Sequence, residues 1–193
     1  LAVVYYLGKA QAAASSGLEQ DQQMLARFRV HYDSISSGIG VGKTPEQYGA
    51  IPTDPYSHTP KHAGAQQPGM TGQVKEDILA RFYELGLRID KGVVSFDPSL
   101  MRAEELLNDD STFEYLDVDQ NWLTVPLRFD QFAFTVCQVP VIYNNGAARE
   151  LTVVTRDGNM TRSDLELSPT ESSHLFSRDS FVKRIEITFP FNK

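Results

Sequence analysis

The chain is short of several things, and each shortage narrows what it can be. Its one cysteine, Cys137, leaves no cysteine spacing from which to read a redox compartment. That cysteine lies inside FAFTVCQVPVIY, an apolar run that predicts a continuous strand and a buried, inert thiol. There is no block of Lys or Arg, and the formal net charge is −7. Phosphate binding depends on clustered positive charge, so a nucleic-acid or anionic-membrane surface is not expected. The apolar opening LAVVYYLGKAQAAASS is too short to span a bilayer and lacks the basic start of a signal peptide. No methionine precedes Leu1, and a sequence that opens inside a helical pattern suggests a piece of a longer polypeptide. What is present is ordinary for a folded chain. Of its 193 residues 41% are hydrophobic and 22% charged, enough to bury a core in one domain or two small ones.

The texture changes near Lys91. Before it, apolar residues recur at helical spacing: Val3, Val4, Leu7 and Ala10; then Met24, Leu25 and Phe28; then Ile78, Leu79, Phe82 and Leu85. Three helices are predicted, with Gly86 ending the third and Glu76 and Asp77 complementing the dipole of its first turn. After Gly92 come short β-branched and aromatic runs: VVSFDP, TFEYLDV, WLTVPLRF, FAFTVCQVPVIY, ELTVVTR, DLELS and VKRIEITFPF. Asn144-Asn145-Gly146 and Asp157-Gly158-Asn159 read as hairpin turns, and SLMRAEELLN as a short helix. The expected fold class is therefore α+β: a helical region over 1–91 with a long polar loop at 44–72, and an antiparallel, β-sandwich-like domain over 92–193.

The loop carries the chemistry. Pro52, Pro55, Pro60 and Pro68 stiffen it, and between them stand Asp54, Tyr56, His58, His62, Gln66 and Gln67. These residues form the candidate substrate-binding set, because hydroxyl-rich ligands need a dense array of donors and acceptors beside flat apolar rings. His58 and His62 have the i, i+4 spacing of helical metal ligands, but Pro60 between them argues against a helix, and no metal or cofactor is expected. SGIGVGKT ends like a phosphate-binding loop, yet Ser37 stands where its first glycine belongs. No catalytic residue emerges: carboxylates are plentiful without a readable pairing, and Asp54 reads more readily as a turn residue ahead of Pro55. Asn159-Met160-Thr161 is a glycosylation signal only in a secretory chain.

Taken together, QYGAIPTDPYSHTPKHAGAQQPGMTGQVKEDILARFYELGL and the following VSFDPSLM resemble the last part of a glycoside-hydrolase-like protein of the six-hairpin, (α/α)6-barrel class. The resemblance implies that Gly69-Met70-Thr71-Gly72-Gln73 opens a barrel helix, that Leu85-Gly86 ends it, and that Phe96-Asp97-Pro98 begins the β domain. It also implies a carbohydrate ligand, and a general acid upstream of these residues. The chain alone should then be inactive, prone to self-association or to pairing with the rest of a longer polypeptide, with Val3, Val4, Leu7 and Met24 contributing to an exposed apolar surface. The alternative is a self-contained carbohydrate-binding or interaction module without catalysis.

Overall fold

The computed structural model describes residues 2–14, 18–37 and 71–191. It is a mixed α+β chain that divides into two compact units, Leu1–Glu84 and Leu85–Lys193. The hairpin on either side of Lys91 belongs wholly to the second.

The first unit contains α1 (Ala2–Ala14), α2 (Glu19–Ser37) and α3 (Thr71–Glu84). Val4, Leu7 and Ala10, spaced to share one face of α1, are buried. Two polar and aromatic contacts fix α1 on α2: Tyr6 stacks on Phe28, and Arg29 Nη2 donates to Gln11 Oε1 at 2.9 Å. Between α2 and α3, burial and then a hydrogen bond to the Glu84 carboxylate push the Tyr32 phenol above its ordinary pKa, and Arg81 pairs with the same carboxylate at 3.0 Å. This pairing turns the Glu84 side of α3 inward. Ile78, Leu79 and Phe82, expected in a core stripe, are accordingly exposed, whereas Ala80 is buried. The apolar surface of the unit also differs from expectation: Val4 and Leu7 are interior, and Met24 is exposed along with Tyr5, Val30 and the α3 residues.

The second unit begins with the hairpin β1 (Leu87–Asp90) and β2 (Val93–Phe96). Its two turn residues, Lys91 and Gly92, both have positive φ, the geometry that matches the twist of paired strands. The ribbon β3 (Ser111–Leu116) and β4 (Trp122–Leu127) follows. A five-stranded sheet then forms from β5 (Gln131–Val136), β6 (Val139–Asn145), β7 (Glu150–Thr155), β8 (Gly158–Arg162) and β9 (Val182–Phe189), in the order β5-β6-β9-β7-β8. β9 is central, antiparallel to β7 and parallel to β6. The parallel pair departs from the all-antiparallel expectation, and it requires the long return from β6 through β7, β8 and the helix α4 (Pro169–Ser177).

Four local readings change. FAFTVCQVPVIY is two strands, because Cys137 and Gln138 both adopt positive φ and close a two-residue hairpin between β5 and β6. Cys137 is thus a half-buried turn residue, and burial still pushes its thiol up. Asn144-Asn145-Gly146 joins strands that are not neighbours, since β9 lies between them. SLMRAEELLN forms two 3-10 turns, Pro98–Leu100 and Ala103–Glu105, and of DLELS only Glu166 makes a single bridge, to Ser95. Pro169–Ser177, absent from the sequence reading, is a helix.

The core alternates along the central strands: Val141 and Tyr143 from β6, Leu151 and Val153 from β7, Ile185 and Ile187 from β9, all with essentially no exposure. Leu167 and Leu175 cover them. The Tyr143 hydroxyl, deep in this core, donates to the carbonyl of Leu85. The next residue, Gly86, has φ +81, and a Cβ there would collide with the carbonyl group of Asp97, whose own N–H donates to Gly86 O at 2.8 Å. Gly92 has almost the same φ, +82, but open space around it. Gly86→Ala is therefore expected to cost well over the ~1 kcal/mol that positive φ alone imposes on Gly92→Ala. Urea unfolding of the two variants measures the difference, and equal losses would show that the Asp97 contact is not tight.

Candidate functional site

Within the second unit, the β7–β8 hairpin and the start of α4 enclose an open groove of about 400 Å³. The sequence explains how its walls form. Thr155 ends β7, and its Oγ1 donates to Gly158 O at 2.8 Å while accepting from Asp157 N at 3.2 Å, which tightens the hairpin loop. Opposite, Ser168-Pro169-Thr170-Glu171 is a helix start: the Ser168 hydroxyl accepts from Glu171 N at 3.2 Å, and Glu171 Oε2 accepts from Ser168 N at 2.7 Å. Proline at the first helical position loses no hydrogen bond that the helix would have made.

Glu171 is 5% exposed and makes a second contact, accepting from Arg162 Nη2 of β8 at 2.5 Å through Oε1. Burial pushes its carboxyl up, but the Arg162 guanidinium and the Ser168 N–H and hydroxyl together outweigh burial and hold it below the usual carboxylate range. A carboxylate so depressed, with both oxygens occupied, is unsuited to donate a proton at neutral pH. Its work is structural: it ties β8 to the N-terminus of α4 and so holds the groove open. The groove itself presents the hydroxyl of Thr170, the amide of Asn159 and the apolar surfaces of Met160 and Phe181.

At the other end of α4, Arg178 in the left-handed conformation returns its N–H to His174 O and Leu175 O. His174 Nδ1 lies 2.6 Å from Asp179 Oδ2, and its ring stacks on Phe181 at 4.2 Å. The hydrogen bond from His174, followed by one from Phe181 N, holds the Asp179 carboxyl below its ordinary range. Ser180, also at positive φ, donates to Asp119 Oδ2 at 3.2 Å rather than to the imidazole. Histidine, serine and aspartate are near in sequence here but do not line up as a nucleophile and its base. A small cavity of about 70 Å³ lies beside Ser180, lined also by Tyr115, Asp117 and Gln138.

Asp54, Tyr56, His58, His62, Gln66 and Gln67 lie outside the described residues. Among the described residues no three His, Cys, Asp or Glu side chains gather as a metal-binding group, and no helix is long and apolar enough to cross a membrane. The Arg162–Glu171 pair was missed by sequence reading, although Ser168-Pro169-Thr170-Glu171 is a visible capping signal. Comparison of the chain with protein-family models and with curated proteins finds no match.

Removing Arg162 leaves Glu171 buried and unpaired, so Arg162→Met is expected to destabilise the unit by about 3 kcal/mol at pH 7. Because the native carboxyl is depressed, its contribution is complete above the ordinary carboxylate range and disappears as the pH falls through the native value. Unfolding curves of wild type and Arg162→Met should converge in acid. A gap that stays constant with pH would mean that the charge on Glu171 is not what Arg162 stabilises.

Proposed function

We propose that this chain is the C-terminal portion of a carbohydrate-active protein of the glycoside-hydrolase or phosphorylase kind. In this reading its helices belong to the last hairpins of an (α/α)6 barrel. The loop bearing Asp54, Tyr56, His58, His62, Gln66 and Gln67 forms part of a sugar-binding wall, and the β-rich unit, sandwich-like in the parent architecture, supports it.

The observation that supports this most is the meeting of two phrases on which the resemblance rests. Leu85-Gly86 and Phe96-Asp97-Pro98 are neighbours in space: Asp97 N donates to Gly86 O, Gly86 has no room for a side chain, and Tyr143 holds Leu85 O. A sequence phrase that builds one joint at the end of a helix has a structural reason to exist as a phrase. The catalytic acid belongs upstream, so the chain by itself supplies binding surface rather than chemistry.

The purified chain should turn over no member of a panel of aryl glycosides, yet bind oligosaccharides with an affinity that falls on His58→Ala or Gln66→Ala. Turnover that disappears in Asp54→Asn would instead place the reaction in this loop and overturn the inactive-portion reading. The absence of any oligosaccharide binding, with the fold intact by circular dichroism, would favour the second reading, an interaction module. That reading has its own support in the exposed apolar side chains of the first unit, Ile78, Leu79 and Phe82.

A further inference from the structure

The β3–β4 ribbon has two unlike faces. Cross-strand pairing sets Phe113 opposite Val125 and Tyr115 opposite Leu123 on one face, where Phe113 and Tyr115 stack at 5.9 Å and burial pushes the Tyr115 phenol up. The other face pairs Thr112 with Pro126, Glu114 with Thr124 and Leu116 with Trp122. Five of those six side chains are exposed, and Trp122, the only tryptophan of the chain, is 75% exposed. An indole so placed contributes little to the core, and large aromatics of this kind are the residues that anchor interfaces.

Charge decides what fits there. Within β3 and β4 the one charged side chain is Glu114, on the face of Trp122; Asp117 and Asp119 line the small cavity on the opposite face, and Arg128 follows β4. Glu114 stands diagonally across the ribbon from Trp122, a separation of roughly 7–8 Å between such neighbours. Neither Glu114 nor Asp109 has an ion-pair partner among the described residues. The cations of β9 do not serve this face: Arg184 is engaged by Glu186 at 2.6 Å, and Lys183 lines the small cavity beside Tyr115 on the opposite face.

We propose that the Trp122 face of the ribbon docks a basic segment of a partner protein, with a Lys or Arg side chain over the indole ring and Glu114 beside it. A cation on the indole gains from the ring quadrupole, and the flanking carboxylate adds a charge-assisted hydrogen bond. A purely apolar partner would desolvate Glu114 without pairing it, and a nucleic acid or anionic lipid would be repelled. The inference stands apart from the carbohydrate reading, since it uses none of the loop residues.

The test is a titration of the intact chain with a fluorescein-labelled oligolysine peptide, followed by anisotropy and by the emission of Trp122. Saturable binding that weakens as salt is raised and shifts the Trp122 emission is expected, with affinity about tenfold lower in Trp122→Ala and in Glu114→Gln. Both side chains are exposed, so thermal unfolding should be unchanged. Should either variant misfold, movement of the Trp122 indole N–H resonance in the unaltered chain gives the same answer. Failure to bind at low salt would overturn the proposal, as would binding indifferent to Trp122→Ala. So would a neutral oligosaccharide that shifts the Trp122 emission when oligolysine does not.

Discussion

A phenol hydroxyl in an apolar core must find an acceptor or cost the fold a few kcal/mol. In this protein the hydroxyl of Tyr143, whose ring sits among β6, β9 and the aromatic side chains of Phe134 and Phe191, finds the carbonyl of Leu85. Much else in the second unit is arranged around that bond. It fixes the residue after α3, the following Gly86 turns with a conformation and a closeness to Asp97 that only glycine allows, and β1 and β2 then return as a hairpin. β2 is tied in turn to the segment before α4: Phe96 N donates to Leu165 O, Leu167 N to Val94 O, and Val94 N to the buried Ser172 hydroxyl. An edge hairpin that could expose a row of unpaired backbone groups is thereby covered.

The helix α4 is secured at both ends by charge. At its start Glu171 receives Ser168 and Arg162, and past its end His174 meets Asp179. Both carboxyls are held below their ordinary range, but for different reasons: one is buried and overcompensated by partners, the other is open to solvent and held by its hydrogen bond to His174. These perturbed groups would mark a reacting centre if they converged in one cleft. They do not, and their partners account for them, so the polar groups of the described β unit are better understood as its framework.

How much of this was legible in the sequence depends on the kind of signal. Helical periodicity located α1, α2 and α3, and β-branched runs located most strands, because each rests on local spacing. Periodicity turned Ile78, Leu79 and Phe82 inward, whereas they are exposed, since the inward face of α3 is settled by the polar contact of Glu84 with Tyr32, which lies far from it in sequence. The strand break at Cys137-Gln138 was invisible because neither residue is a usual turn former, and its positive φ values follow from the pairing of β5 with β6. The parallel neighbour of β6 was equally hidden, as only the sheet as a whole places β9 between β6 and β7. Of the site, the helix start at Ser168-Pro169-Thr170-Glu171 went unread although its capping spacing is local; its link to Arg162 has no local signal, because the two elements meet only when the chain folds.

The Leu85–Gly86 joint is part of the core of the β unit and not a loose connection leading into it. Hydrogen exchange of individual amides tests this most directly, because the N–H of Asp97 has no protection except its bond to Gly86 O. Asp97 should then exchange as slowly as Ile185 and Ile187 in the central strand, opening only with global unfolding. Exchange of Asp97 at the rate of a fraying loop, while the β9 amides stay protected, would contradict it.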